Sequence, residues 1–180
     1  PGFRPYLDHP DGVPLNESAS LNRSPDWSAY FLWDDAKRID EHCDRCPQTA
    51  ALLAKMPLAD VPGFAPAAFF STLTPGARIP PHTGVTNARL IVHLGVIVPR
   101  GCTFRVGNET REWRRGKAWV FDDTIEHEAR NDSDALRVVL IFDIWNPYLS
   151  AAERDLVCAL LAAQREYYAG DAAPNSDKKG

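Results

Sequence analysis

The fold is decided by one apolar run in the middle of the chain, Arg89-Leu90-Ile91-Val92-His93-Leu94-Gly95-Val96-Ile97-Val98. The run is rich in Val, Ile and Leu, and β-branched residues favour strands. Pro99 and Gly101 follow it and mark its end. A strand with one wet face alternates apolar and polar residues, whereas this run is apolar almost throughout. It therefore predicts a central strand that is covered on both sides.

Shorter strands and turn signals surround this central strand. Gly107-Asn108 separates two short segments and is typical of a tight hairpin. Thr74-Pro75-Gly76 is a further turn signal. The predicted strands are Ala67–Leu73, Arg89–Val98, Cys102–Val106, Glu109–Trp113, Ala118–Phe121, Glu126–Arg130 and Leu136–Trp145. Many short strands with turns at intervals of about 8–12 residues indicate a β-sandwich or a barrel.

The segments on either side of the β core have a different texture. Residues 1–27 are rich in Pro, Asp, Asn and Ser, which predicts loops and turns. Residues 28–56 are helical in character. Ser150, with Glu153 three residues later, predicts a capped helix start. The predicted organisation is a single domain over 1–170, with N-terminal loops and helices at 1–66, a core at 67–149, a C-terminal helix at 150–168 and a disordered tail at 171–180.

Composition disfavours several classes of function. The chain has 180 residues and a formal net charge of −4, whereas nucleic-acid binding needs clustered basic side chains. The basic run at 111–117 is interpreted as a solvated hairpin edge. The apolar runs fall short of the about 20 residues that a membrane span needs, and residues 1–14 show no signal-peptide pattern. We expect a soluble cytoplasmic protein with no nucleic-acid partner and no transmembrane segment.

Two of the four cysteines, Cys43 and Cys46, form a C-x-x-C pair. A structural zinc site needs a second such pair or nearby histidines, and His42 alone adjoins this one. A redox dithiol and a metal site are the two functional alternatives. The favoured interpretation is two unpaired thiols in a loop of a cytosolic protein.

Three of the five histidines, His82, His93 and His127, fall within the β core. His82 stands at a turn, His127 follows near a strand start, and Arg137 comes ten residues later. Antiparallel strands of a small barrel can bring two such histidines together at one end. Neutral imidazoles suit iron(II) and leave coordination positions open, and a buried arginine holds a carboxylate bidentately. Taken one by one, each histidine is also explained as a hydrogen-bonded core residue.

Several longer stretches carry a family resemblance and stand in the same order as in the family. They are Asp26-Trp27-Ser28, Leu32-Trp33, Ser71, Pro75-Gly76, His82-Thr83-Gly84-Val85-Thr86-Asn87-Ala88-Arg89-Leu90, His93-Leu94-Gly95, Asn108-Glu109-Thr110, Phe121-Asp122-Asp123-Thr124-Ile125-Glu126-His127-Glu128 and Phe142-Asp143-Ile144-Trp145-Asn146-Pro147. Over residues 26–149 the chain resembles the aspartyl/asparaginyl β-hydroxylase family. The resemblance implies a mainly β fold with flanking helices, a double-stranded β-helix of the jelly-roll, cupin-like kind.

The resemblance also implies an activity and its cofactors. The family is one of iron(II)- and 2-oxoglutarate-dependent dioxygenases, which use O₂ to couple oxidative decarboxylation of 2-oxoglutarate to hydroxylation of a substrate. We therefore expect a cytoplasmic, bacterial-type hydroxylase. The implied roles are His82 and His127 as iron ligands, Arg137 on the C5 carboxylate of 2-oxoglutarate with Ser71 beside it, His93 near the other end of this cosubstrate, and Trp27 in the pocket wall.

One ligand position departs from the wider oxygenase superfamily, in which a His-x-Asp motif supplies a carboxylate. Gly84 stands at that position and cannot bind a metal. The resemblance implies that water takes the place of the carboxylate in the narrower family. Asp123 is a candidate to orient that water or an imidazole from outside the ligand set. The alternatives for Asp123 are a direct metal ligand and a plain turn residue that accepts backbone N–H bonds.

The substrate is the least determined part of the prediction. Family members that act on protein domains carry a basic pair on the central strand. This chain has Arg89, but Ile91 follows two residues later on the same face, so Arg89 is a candidate substrate residue without a second cation. An Asp/Asn-containing peptide, an acyl chain and a small molecule are the substrates considered. Two other classes stay open: a cupin-like protein that binds a metal or small carboxylate without turnover, and a jelly-roll interaction module with structural histidines.

Overall fold

Strands dominate the part of the chain that the computed structural model describes, residues 2–10 and 16–171. The strands are β1 (Arg4–Pro5), β2 (Trp27–Asp34), β3 (Lys37–Arg38), β4 (Ala68–Leu73), β5 (Arg78–His82), β6 (Arg89–Ile97), β7 (Cys102–Val106), β8 (Glu109–Glu112), β9 (Ala118–Phe121), β10 (His127–Asn131) and β11 (Arg137–Trp145). The helices are a 3-10 helix (Asn16–Leu21), α1 (Asp40–Arg45), α2 (Pro47–Leu53) and α3 (Ala151–Asp171).

The strands form two antiparallel sheets. The larger sheet has the order β1-β2-β4-β11-β6-β9, with β3 on β2, and the smaller sheet has the order β5-β10-β7-β8. Strands that follow one another along the chain, such as β4, β5 and β6, alternate between the two sheets. This alternation is the hallmark of a double-stranded β-helix, so the predicted jelly-roll fold with flanking helices is confirmed.

The central strand β6 is covered on both faces, as its apolar sequence predicts. It lies between β11 and β9 in the larger sheet. Val92 packs in a cluster on the outer face of this sheet, which α1 and α2 cover through Cys43 and Leu53. Ile91 and His93 point to the other face, between the sheets, where they line a cavity. The polar residues Arg89 and His93 of this strand therefore lie on the face that lines the cavity.

Two predictions about secondary structure are wrong. The first part of the segment at 28–56 is strand β2, and only its later part forms α1 and α2. The aromatic residues of β2 pack on both sides of the sheet, which suits a pleated strand better than a helix. Strand β5 was not predicted because it contains Pro80-Pro81. It is an edge strand of the smaller sheet, where proline costs no ladder hydrogen bond.

Only one of the two C-x-x-C cysteines lies outside a helix, which corrects the prediction that both lie in a loop. Cys43 is buried within α1, and Cys46 precedes α2. The Cys43 thiol lies 3.5 Å from the carbonyl of Leu32. Both thiols are unpaired, and burial raises the pKa of Cys43, which lowers its reactivity.

The helix α3 begins at the capping box that the sequence predicts. The backbone N and the Oγ of Ser150 donate to the Glu153 carboxylate at 2.8 and 2.7 Å. The chain separates into two compact units, Pro1–Asn146 and Pro147–Gly180, and the single domain over 1–170 stays a prediction. The predicted tail from residue 172 onward lies outside the described residues.

Membrane spans were also searched for. Among the helices of residues 2–10 and 16–171, none is both long enough and apolar enough to cross a bilayer. The cytoplasmic location stays a prediction.

Candidate active site

A cavity of about 350 Å³ lies between the two sheets. The larger sheet contributes side chains from β2, β4, β6 and β11, and the smaller sheet contributes side chains from β5, β7 and β10. All of the predicted site residues line it: Trp27, Ser71, His82, Arg89, His93, Asp123, His127 and Arg137. The fold therefore gathers in one place residues that the sequence separates by more than a hundred positions.

His82 and His127 face each other across neighbouring strands. They are register partners in the β5–β10 pair, and their ring centroids are 4.2 Å apart. The Nδ1 atom of His82 lies 2.8 Å from the carbonyl of Pro80, and that of His127 lies 2.9 Å from the carbonyl of Ile125. Because a carbonyl oxygen can only accept, both Nδ1 atoms carry the proton. The Nε2 lone pairs of both rings are left for a ligand.

The charge state of His127 also suits a metal. Burial lowers the pKa of His127 to about 4, so the ring is neutral at physiological pH. A neutral imidazole is the form that binds a divalent cation. Within the described ranges no group of three His, Cys, Asp or Glu side chains is close enough to hold a metal ion. The two Nε2 atoms of His82 and His127 would suit a metal held by two histidines, because each Nδ1 is bonded to a backbone carbonyl.

Asp123 occupies the space that a carboxylate at position 84 would need. The amide of Gly84 donates to the Asp123 carbonyl at 2.6 Å. A Cβ atom added at Gly84 would lie 2.2 Å from the Cγ and Oδ2 atoms of Asp123, so the two side chains exclude each other. Asp123 is buried, and its Oδ1 atom has no hydrogen-bond partner among the described residues. That free oxygen, on the cavity wall, is available to a water or another donor.

Arg137 is a buried cation without a carboxylate partner among the described residues. Its side chain is 1% exposed, and its Nη1 lies 3.4 Å from both the carbonyl and the Oγ of Ser71. The guanidinium lies 5.0 Å above the ring of Trp113. Within the described ranges it has no carboxylate partner, and its Nε has no hydrogen bond. Burial lowers its pKa to about 10, which leaves it charged. An unpaired buried charge destabilises the fold, and an anionic ligand would offset that cost.

Ser71 and His93 complete this end of the cavity. Ser71 Oγ accepts a hydrogen bond from Trp27 Nε1 at 3.2 Å. His93 is buried among aromatic rings, and its Nδ1 has no hydrogen-bond partner in the described part of the chain. Burial, reinforced by the nearby charge of Arg137, lowers the pKa of His93 well below its usual value. His93 is therefore a neutral ring on the cavity wall whose Nδ1 is unbonded among the described residues.

The residues of the cavity wall that sequence reasoning missed include Tyr6, Trp113 and Asp143. Trp113 has a buried Nε1 without a hydrogen-bond partner among the described residues, and a lone aromatic at the end of a polar hairpin was the available signal. An acidic residue within the apolar last strand was the signal for Asp143. Tyr6 stacks on Trp27 at 4.2 Å, and burial raises its pKa to about 12. No pattern in residues 1–27 pointed to it.

The fold and the site define a class: jelly-roll proteins with a histidine pair and a buried arginine facing one cavity. A family model described as aspartyl/asparaginyl beta-hydroxylase matches residues 5–147. The chain belongs to this family, which confirms the resemblance seen in the sequence.

Two relatives show the range of the family. The chain is 38% identical over 150 residues to the human aspartyl/asparaginyl beta-hydroxylase, which covers 82% of this chain and 20% of that protein. It is 39% identical over 129 residues to the ornithine lipid ester-linked acyl 2-hydroxylase of Rhizobium tropici, which covers 70% and 44%. Both relatives are hydroxylases by name, and the chain spans less than half of either.

Solved structures resemble the chain more distantly. The Cupin_2 domain of an XRE family transcriptional regulator from Enterobacter cloacae is 16% identical, with a TM-score of 0.39 over 45% of this chain and 82% of that one.

Proposed function

We propose that this protein is an iron(II)- and 2-oxoglutarate-dependent hydroxylase. The observation that carries the proposal is Arg137, a buried cation with no carboxylate partner among the described residues, in the same cavity as the free Nε2 atoms of His82 and His127. A 2-oxo acid with a second, distal carboxylate matches both features, since one end binds a metal and the other an arginine. Membership of a hydroxylase family supports the proposal.

In this proposal His82 and His127 hold the iron. Bound iron(II) and 2-oxoglutarate would supply the activation of O₂, with 2-oxoglutarate decarboxylated to succinate as an oxygen atom enters a substrate C–H bond. The carbonyls of Pro80 and Ile125 fix the rings, because each accepts the Nδ1 proton and so directs Nε2 into the cavity. Asp123 would supply an oxygen on the cavity wall that can accept a hydrogen bond from a water held there.

The other end of the cavity is suited to a distal carboxylate. Arg137 supplies the charge, and Ser71 and the N–H of Trp113 supply further hydrogen bonds. The ring of Trp113 lies beneath the guanidinium and fixes its plane by a cation–π contact. His93 donates or accepts nearer the metal end. Aromatic walls such as Phe104 exclude water, which strengthens each of these polar interactions.

The substrates named for the relatives differ widely. One relative is named for aspartyl and asparaginyl residues, and another for the acyl chain of an ornithine lipid. The substrate of this protein is proposed to be an Asp/Asn-containing peptide, an acyl chain or a small molecule, and the family alone does not choose among them.

The proposal is tested by calorimetric titration of 2-oxoglutarate under anaerobic conditions, with inert manganese(II) as the metal. We expect binding that requires manganese in the wild type and is lost in His82→Ala. His9→Ala is the matched control, because His9 is exposed and outside the cavity. Absence of 2-oxoglutarate binding in the wild type would overturn the proposal.

The second candidate is a cupin-like protein that binds a metal and a small carboxylate without turnover. The same cavity residues favour it, so binding alone cannot separate the two functions. Succinate formation from 2-oxoglutarate, with iron(II) and O₂ but no substrate, separates them. We expect slow succinate formation, and tight binding with no succinate at all would favour the second candidate.

A further inference from the structure

Arg89 is held between two carboxylates, and we name Arg89, Asp123 and Asp143 the mouth triad. Arg89 Nη2 lies 3.2 Å from Asp123 Oδ2, and Nη1 lies 3.3 Å from Asp143 Oδ1. The three side chains are 15%, 9% and 6% exposed, and all line the cavity. Asp143 is fixed by a second bond, since its Oδ2 accepts the amide of Ala67 at 3.0 Å. Both terminal nitrogens of Arg89 are therefore already engaged by anions.

The mouth triad lies at the opposite end of the cavity from Arg137. Arg137 and Asp143 begin and nearly end the same strand, β11, six residues apart. At about 3.3 Å per residue their backbones are about 20 Å apart. On β6, Ile91 lies between Arg89 and His93 and pairs with Asp143 of β11. The Arg137 end and the triad end are thus separate parts of the cavity.

The charges of the cavity balance when it is loaded. Its charged lining residues are Arg137 and the mouth triad. The triad has one positive and two negative groups, an excess of one carboxylate that Arg137 offsets. Iron(II) and 2-oxoglutarate carry equal and opposite charges, and histidines that bind a metal are neutral. A charged substrate group would therefore enter a buried site without a compensating partner, which is costly.

We propose that the mouth triad excludes carboxylates and that this end of the cavity takes an uncharged, apolar substrate group. The inference rests on the proposed function, because it assumes that the histidine pair holds the metal and that 2-oxoglutarate occupies the Arg137 end. A carboxylate here would meet Asp123 and Asp143 with no free cation to receive it. The neighbouring wall is apolar: the guanidinium of Arg89 lies 5.6 Å from the ring of Phe64, and Val85 and Ile91 line the same cavity.

Three probes of equal length test the proposal: hexanamide, hexanoate and hexylammonium. Their dissociation constants are measured by ligand-observed NMR on the wild-type protein loaded with zinc(II) and saturating 2-oxoglutarate. We expect hexanamide to bind at least tenfold more tightly than either charged probe. Equal binding, a preference for hexanoate, a preference for hexylammonium, or no binding of any probe would each overturn the proposal.

A matched pair of variants then separates the effect of charge at position 91 from the effect of side-chain size. Ile91→Arg adds a second cation beside the triad, and Ile91→Gln adds an uncharged polar group there. We expect hexanoate to bind at least tenfold more tightly to Ile91→Arg than to Ile91→Gln. Equal hexanoate affinity in two variants that bind zinc and 2-oxoglutarate would contradict the proposal. If Ile91→Arg does not fold, the wild-type probe series decides alone.

Failure of this inference differs from failure of the proposed function. Zinc-dependent binding of 2-oxoglutarate to the wild type is measured first, and its absence would overturn the proposed function. Binding of 2-oxoglutarate together with a preference for hexanoate would overturn only the inference about the substrate.

Discussion

Two arginines line the same cavity in opposite electrostatic situations. Arg89 lies between Asp123 and Asp143, whereas Arg137 is more deeply buried, contacts Ser71 and Trp113, and has no carboxylate partner among the described residues. Folding alone does not favour a solitary buried charge, because its desolvation costs several kcal/mol. The charge of Arg89 is neutralised by carboxylates of the protein itself. The charge of Arg137 would instead be neutralised by an anionic ligand. The difference is the basis for proposing that the Arg137 end binds the distal carboxylate of 2-oxoglutarate and that the Arg89 end takes an uncharged group.

The largest expected effect is at the uncompensated arginine. In Arg137→Met we expect the affinity for 2-oxoglutarate to fall about a thousandfold, about 4 kcal/mol, because two charge-assisted hydrogen bonds are lost. Calorimetry with manganese(II) measures it. The same variant is expected to unfold at higher urea concentration than the wild type without ligand, since an apolar side chain replaces an unpaired buried charge. Unchanged 2-oxoglutarate affinity would remove the contrast between the two arginines.

The compensated arginine is expected to respond in the opposite way. Arg89→Met leaves two buried carboxylates without their cation, which lowers the free energy of unfolding by about 3 kcal/mol. Urea unfolding at pH 7 measures the loss. The double variant Arg89→Met/Asp143→Asn is the control, and we expect it to recover part of the stability because one of the two carboxylates is gone. A loss below about 1 kcal/mol would mean that the ion pairs are screened as on an open surface.

The buried ring of His127 is expected to make the free energy of unfolding depend on pH. The pKa of His127 is lowered to about 4 in the folded protein, whereas the unfolded chain titrates near 6.5. Between these values the unfolded state binds the extra proton, so stability falls as pH falls from about 6.5 to 4, by about 2 kcal/mol. The raised pKa values of Asp123 and Asp143 act in the opposite sense.

The difference between wild type and His127→Gln therefore isolates the histidine. Urea unfolding of the metal-free proteins from pH 4.5 to 7.5 provides both curves. We expect the stability difference to shift toward the variant as pH falls. Parallel curves would show that His127 titrates normally and is not held neutral.

The sequence predicted the parts of the fold that depend on local pattern. The apolar run of β6 and the Gly107-Asn108 hairpin were recognised because their signals are contained in a few consecutive residues. Strand β2 was mistaken for helix because its aromatic residues pack on both faces and show no alternation. Strand β5 was missed because Pro80-Pro81 argues against a strand, and only the sheet order shows that it is an edge.

The sequence predicted which residues line the cavity, but it did not predict which of them form ion pairs with one another. All eight predicted residues line the cavity, and their roles stay predictions. The ion pair between Arg89 and Asp143 depends on the register of β6 on β11, which places Ile91 opposite Asp143. That Arg137 lacks an anion among the described residues follows from what lies around it in space. The spacing of residues along the sequence predicts neither arrangement. A register shift of one residue would move each side chain to the other face of the sheet.

The smallest expected effect concerns Trp113, which supplies a ring and an N–H to the same end of the cavity. Trp113→Phe keeps the ring beneath Arg137 but removes the buried donor. We expect 2-oxoglutarate to bind about fivefold more weakly, about 1 kcal/mol for one hydrogen bond. Oxalate, which has no distal carboxylate, is expected to bind with unchanged affinity. Calorimetry with manganese(II) measures both ligands.

The matched control for Trp113→Phe is Trp119→Phe. Trp119 stacks on Trp113 at 5.6 Å but does not line the cavity. If the stack of rings matters only for packing, both substitutions weaken 2-oxoglutarate and oxalate alike, and Trp113 belongs with the core. If the indole N–H receives the distal carboxylate, Trp113→Phe alone weakens 2-oxoglutarate alone. The second outcome requires the donor to reach the same anion as Arg137, so it would tie the unpaired arginine to its ligand independently of any change in charge.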